Sequence, residues 1–228
     1  MNNVVSLLDL QLDLFPDQDP VSGSLNYAVL GTDKLPYIAQ GGNSTNFAPL
    51  NGISQVGTSA PSITSFSHLE GETWVTKQYY AYTTSDGVYL ASSADGVTWT
   101  GAIIQSGTPL KPVMSKFAPS LLVSNGLLTC VITSEKEGGL GGGYSIEIGT
   151  STDGTTWDFN VITPGGGFGA TTTNFAPSAA SFNGILYLGV ITGDGSISLG
   201  IQSGSDANQF TFSSITLPEK SLGQPSLC

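Results

Sequence analysis

Carboxylates are the most abundant side chains here that could do chemistry, with 17 Asp and Glu against six basic residues. Glu135 and Glu137 flank Lys136 where an apolar run ends, in a Gly-rich stretch from Ser134 to Gly143 that reads as a loop. Glu70 and Glu72 surround Gly71 in a second turn. Hydrolysis of a glycosidic bond usually needs two carboxyl groups about 5 to 9.5 Å apart, one of them with a raised pKa. Glu135 and Glu137 are therefore the alternative catalytic pair, set against the solvated turn that such charges ordinarily mark. Asp9, Asp13, Asp17 and Asp19 form an acidic group near the N-terminus, and alternation with leucine puts Asp9 and Asp13 on one strand face. Calcium takes oxygens of this kind, but the EF-hand spacing is absent and a polar outer strand accounts for them equally well.

Other chemistries are poorly supplied. The single histidine, His68, stands two residues from Glu70 and reads as a surface turn residue. Cys130 and Cys228 show neither metal nor CxxC spacing, so no metal site and no cofactor is read, and Cys130 is taken as a small buried hydrophobe. All six basic residues are lysines (Lys34, Lys77, Lys111, Lys116, Lys136, Lys220), which leaves the chain without arginine. A formal charge of −11 repels polyanions, which argues against nucleic acid and against an anionic membrane surface as partners. No stretch approaches the roughly 18 apolar residues of a membrane span. The opening segment carries Asp9 and Asp13 where a conventional signal peptide has lysine. Richness in Ser, Thr and Gly with only 10% charged residues resembles secreted or cell-surface β-proteins, and the sequence leaves an oligomer open.

The elements that must position these residues are repeated. Ser59-Ala60-Pro61-Ser62, Phe117-Ala118-Pro119-Ser120 and Phe175-Ala176-Pro177-Ser178 place their prolines 58 residues apart, and Gln224-Pro225-Ser226-Leu227 is a truncated further copy. A second marker keeps the same step. Ser93-Ala94-Asp95-Gly96-Val97-Thr98-Trp99 matches Ser151-Thr152-Asp153-Gly154-Thr155-Thr156-Trp157, and Ser205 to Phe210 is a weaker third version. Between the markers lie short β-branched runs broken by Asn125-Gly126, Asn183-Gly184 and other turns. Asn-Gly between apolar runs signals a tight hairpin, because both central residues of a type I′ turn take positive φ. Each unit is read as a four-stranded antiparallel meander, with no helical periodicity anywhere.

Such units are the blades of a β-propeller, in which radial packing buries both faces of each sheet. The expected fold is all-β: a single propeller of about four blades, five being left open. Its boundaries are 59–115, 116–173 and 174–223 for whole blades, with 1–58 and 224–228 sharing the blade that closes the ring. Asn46-Phe47-Ala48-Pro49, a stray copy of Asn174 to Pro177, is read as the long connection into the next blade, with the start of an extra partial unit, and hence a fifth blade, as the alternative.

The heptapeptides ending in Trp99 and Trp157 resemble the Asp-box of sialidase-type propellers. That resemblance implies a turn between the two outer strands of a blade, with Asp95, Gly96, Trp99, Asp153, Gly154 and Trp157 in structural roles. Physically, the Asp closes the turn on backbone N–H groups, the Gly takes positive φ, and the Trp packs between blades. Sialidases hold their substrate carboxylate with three arginines, and this chain has none, so that activity is not expected. There is also a faint resemblance to five-bladed arabinanase-like glycosidases, whose blade starts carry an Asp before Pro; here Ala60, Ala118, Ala176 and Gln224 stand at those positions.

The functional expectation is a lectin-like, non-catalytic propeller with repeated sites for glycans or glycoconjugates. Lys116 and Asn174, with Asn46 as the stray copy, and the aromatic group Trp74, Tyr79, Tyr80 and Tyr82 are the expected ligand-binding residues, the tyrosines with one face in the core. Ser62, Ser120, Ser178 and Ser226 are expected to line a central channel, and Phe117 and Phe175 to pack between blades. A glycoside hydrolase and a protein-interaction scaffold are the competing readings.

Overall fold

The computed structural model describes residues 26–40, 47–137, 144–165, 172–192, 196–203 and 208–215. Asp9, Asp13, Asp17, Asp19, Asn46, the Gly138 to Gly143 stretch, Asp206, Gln224 to Leu227 and Cys228 lie outside them. Every regular element among the described residues is a β-strand. Strands β1 (Asn26–Leu30), β2 (Pro36–Gln40) and β3 (Ala48–Pro49) form a three-stranded antiparallel sheet. Ala48 and Pro49, within the segment read as a connection or as the start of an extra unit, supply a short strand at the edge of this sheet.

The next sheet is the meander β4 (Ser62–Glu70), β5 (Thr73–Thr84), β6 (Gly87–Ser93) and β7 (Thr100–Ile103), followed by the small hairpin β8 (Gln105–Ser106) and β9 (Lys111–Pro112). Strands β10 (Ser120–Ser124), β11 (Leu127–Glu137), β12 (Tyr144–Ser151) and β13 (Asp158–Val161) repeat that order. After β14 (Thr163–Gly165) and β15 (Thr172–Thr173), the order recurs in β16 (Ser178–Phe182), β17 (Ile185–Ile191), β18 (Ile197–Gln202) and β19 (Gln209–Ile215). β15 adds to β12, and β14 crosses to the following sheet to lie parallel to β19.

Local chemistry accounts for the meanders. Asn125 and Gly126 have φ of 52° and 72°, and Asn183 and Gly184 have 51° and 75°, so both hairpins turn through two left-handed residues. Along β12 the alternation sends Ile146 and Ile148 to one face and Glu147 to the other. Gly149 is required by a close approach: a Cβ there would stand 2.3 Å from the Phe159 ring that lies over it.

The core sits between successive sheets, in three clusters. Ile38, Leu50, Tyr80, Tyr82 and Trp99 fill the first interface; Phe66, Tyr79, Leu121, Cys130 and Trp157 fill the second. Leu122, Ile146, Leu188, Val190 and Phe210 fill the third. Each fully buried large apolar side chain contributes on the order of 1.5–3 kcal/mol. Trp99, Trp157 and Phe210 hold the same place in three sheets, each packed toward the sheet before its own. The backbone at that place is also bound by the segment leaving the preceding sheet. Trp99 N–H donates to Asn51 O at 2.9 Å, Ser106 Oγ donates to Trp157 O at 3.3 Å, and Phe210 pairs with Pro164.

The first strands touch as well, through the serines after the prolines. Ser62 and Ser120 are buried and bond the neighbouring first strand, at Leu121 and Ala179 respectively. Their hydroxyls are therefore engaged between neighbouring first strands.

Candidate functional site

Each of the last three sheets begins with a chain segment crossing the edge of its second strand, and the same backbone bond fixes it each time. Thr58 N–H donates to Thr83 O at 2.7 Å, Lys116 N–H to Thr133 O at 2.9 Å, and Asn174 N–H to Ile191 O at 3.4 Å. The donors are 58 residues apart and all three side chains are exposed. Hydroxyls brace the segments: Ser115 Oγ and Thr173 Oγ1 donate to the carbonyls of Phe117 and Phe175 at 2.8 and 2.9 Å. The Lys116 ammonium stands 5.5 Å from the centre of the Tyr144 ring, and Phe117 meets that ring edge-on. Phe117 and Phe175 are only partly buried and stand outside the three core clusters.

Lys116 and Asn174 were legible as a recurring pair, but the third equivalent position is Thr58. Only the 58-residue step marks it, since its side chain matches neither of the others.

The two heptapeptides are self-contained turns. Asp95 Oδ1 accepts the N–H groups of Val97 and Thr98 at 2.8 and 2.7 Å and the Ser93 hydroxyl at 2.9 Å. These bonds, led by the one from Thr98, hold its carboxyl at about 2. Asp153 repeats the arrangement with Thr155, Thr156 and Ser151. Burial opposes its ionisation, but the Thr156 and Thr155 bonds outweigh that and bring it to about 2. Gly96 and Gly154 have φ of 70° and 75°, and Tyr79 from the preceding sheet closes the space above Gly154. In both turns one carboxylate oxygen, Oδ1, is taken up by the turn's own N–H and hydroxyl groups.

The aromatic group divides sharply. Tyr79, Tyr80 and Tyr82 are 2%, 0% and 0% exposed, which corrects their expected role in contacting ligand: from Tyr79 onward neighbouring sheets cover both faces of β5. The Tyr80 and Tyr82 hydroxyls each donate at 2.9 Å to backbone carbonyls, of Val29 and Gln55. Burial raises all three phenols, Tyr79 to about 12. Trp74, by contrast, is 73% exposed near the tip of the β4–β5 hairpin.

His68 is also corrected. It lies inside β4, since this hairpin runs on to Glu70 where its counterparts stop at Ser124 and Phe182, and it is 3% exposed. Its ring stacks on Phe66 and its Nε2 bonds Glu70 Oε1 at 3.0 Å. Lys77 and then His68 hold the Glu70 carboxyl below the usual carboxylate range.

Glu135 and Glu137 lie on the end of β11, with Glu137 opposite Tyr144 across a bulge, so their backbone is strand and not the expected loop. The carboxylate that the sequence reading missed is Glu147, on the face of β12 shared with Ile132. Burial raises its pKa while a hydrogen bond with Ser134 works against that. The alternation Tyr144-Ser-Ile-Glu-Ile148 was the available signal. Among the described residues no group of three or more His, Cys, Asp and Glu side chains is placed to hold a metal ion, and no helix is long and apolar enough to cross a membrane. Cys130 is fully buried, and burial pushes its thiol up to about 12.

No protein-family model matches the chain, and no curated protein matches it in sequence.

Proposed function

We propose that the chain is a β-propeller of the Asp-box type, its sheets acting as blades, and that it binds glycans without transforming them. Support for the propeller lies in three tiers of equivalent contacts between successive sheets: serine bonds between first strands, the anchored Trp99, Trp157 and Phe210, and the repeated entry segments. The observation that carries the binding function is the set Thr58, Lys116 and Asn174, exposed at equivalent positions by one backbone bond each. A hydroxyl, an ammonium and an amide at these positions, with the Tyr144 ring beside Lys116, suit sugar hydroxyls and C–H faces. Several weak sites on one ring add through multivalency.

A glycan array probed with and without calcium tests this reading, using the natural chain and a variant carrying Thr58→Ala, Lys116→Ala and Asn174→Ala together. Retention of a defined set of glycans that the variant loses while still melting cooperatively is expected. An array on which the natural chain retains nothing would end the proposal.

Glu147 favours a second reading, a glycosidase with Glu147 as the general acid, because its carboxyl is half-buried and burial raises its pKa. Turnover of aryl glycosides abolished by Glu147→Gln would establish it.

A further inference from the structure

The β4–β5 hairpin is longer than its counterparts, and its projecting end separates its side chains by chemistry. Residues opposite one another in an antiparallel ladder share a face, and alternate residues along a strand change face. His68, Glu70, Val75 and Lys77 therefore lie on one side, where Glu70 bonds both His68 and Lys77, so the hairpin's charges there are mutually engaged. On the other side stand Leu69 opposite Trp74 and Ser67 opposite Thr76. Leu69 and Trp74 are 54% and 73% exposed, and the Ser67 and Thr76 hydroxyls bond each other at 2.7 Å. The four side chains of this face are thus an exposed indole, an exposed leucine and two hydroxyls, none of them charged.

We infer that the outer face of this hairpin, centred on Trp74, is a separate binding site for a neutral pyranose whose substituents are all equatorial, as in a β-1,4-linked glucan. Such a sugar presents two apolar C–H faces and a rim of hydroxyls. One face covers the indole, gaining apolar burial and contact between weakly positive C–H groups and the negative π-face. The rim then reaches Ser67 and Thr76. Ser67, Leu69, Trp74 and Thr76 carry no charge, which matches a neutral ligand, and the one charge in the adjoining turn, Glu72, is an acid that disfavours an acidic sugar. The inference rests on the carbohydrate reading above and adds to it a site outside the repeated set.

The protein carries its own probe. Of its three tryptophans, Trp99 and Trp157 are buried at 2% and 6% exposed, so acrylamide quenching reports chiefly on Trp74. Quenching is measured in the full chain with increasing cellohexaose, alongside Trp74→Ala, Trp74→Phe and the Lys116→Ala/Asn174→Ala variant. Saturable protection is expected in the natural chain and in the Lys116→Ala/Asn174→Ala variant. Trp74→Ala is expected to weaken cellohexaose binding, followed by calorimetry, by at least about tenfold, with Trp74→Phe retaining most of it. Quenching that saturating cellohexaose leaves unchanged would overturn the site, as would sedimentation showing self-association that Trp74→Ala abolishes. If the site fails while array binding survives in Trp74→Ala, the carbohydrate reading stands without it.

Discussion

The Ser62 hydroxyl accepts the Leu121 N–H at 3.0 Å and lies 3.4 Å from the Leu121 carbonyl oxygen, to which it donates, tying together the first strands of two sheets 59 residues apart in sequence. Ser120 stands in the same relation to Ala179, accepting its N–H at 3.3 Å. Sheets that meet along their first strands and also anchor one another through outer residues are held at both ends. The stability of this architecture therefore depends on small repeated contacts as well as on core volume.

Ser62→Ala leaves the buried Leu121 N–H without its acceptor. The expected cost is about 1–3 kcal/mol, read from urea unfolding. Ser62→Thr keeps the hydroxyl and should recover part of the loss, although its added methyl must fit a site that is 2% exposed.

Trp157 and Trp99 fill equivalent interfaces, so truncation should hurt both alike. Trp157→Ala and Trp99→Ala are each expected to destabilise by about 3–5 kcal/mol. A large difference between them in denaturant unfolding would contradict equivalence of their surroundings.

Acid should weaken the turns in a defined window. Asp95 and Asp153 are held at about 2 in the fold against an ordinary 3.8. A carboxyl depressed by folding adds stability that is complete above its unfolded value and is lost as pH falls through its folded value. Melting temperature should therefore drop between about pH 4 and pH 2, and Asp153→Asn should flatten that drop. At pH 7 the same variant is expected to cost about 1 kcal/mol, since the turn is partly open to solvent.

Glu147 works in the opposite sense. Its pKa is raised by burial, so the folded state binds the proton more tightly and stability falls as pH climbs through and beyond the ordinary carboxylate value of 4.5. Glu147→Gln should raise the melting temperature at pH 7 and leave it nearly unchanged at pH 3, measured by calorimetry.

Periodicity made much of the fold legible. The 58-residue step located the last three sheets, and the two Asn-Gly pairs located hairpins that turn as expected. What escaped was information held by neighbours. Tyr79 and Tyr80 point to opposite faces of β5, and only the presence of a sheet on each side makes both of them core. His68 looked exposed because a four-residue extension of each hairpin strand has no periodic signature of its own. Thr58 carried its role in its position and not in its chemistry. Lys116 and Asn174 of the candidate site and Trp74 of the hairpin could be read from the sequence; the alternation along β12 marked Glu147 as well, but its burial depends on the sheet packed against it.

Binding stoichiometry is the most direct test of the central claim that equivalent positions around repeated sheets make equivalent glycan sites. Native mass spectrometry of the chain, titrated with the oligosaccharide that the array selects, should show more than one ligand bound per chain, with the number reduced stepwise by Thr58→Ala, Lys116→Ala and Asn174→Ala. A single ligand per chain, retained when all three are changed, would contradict it.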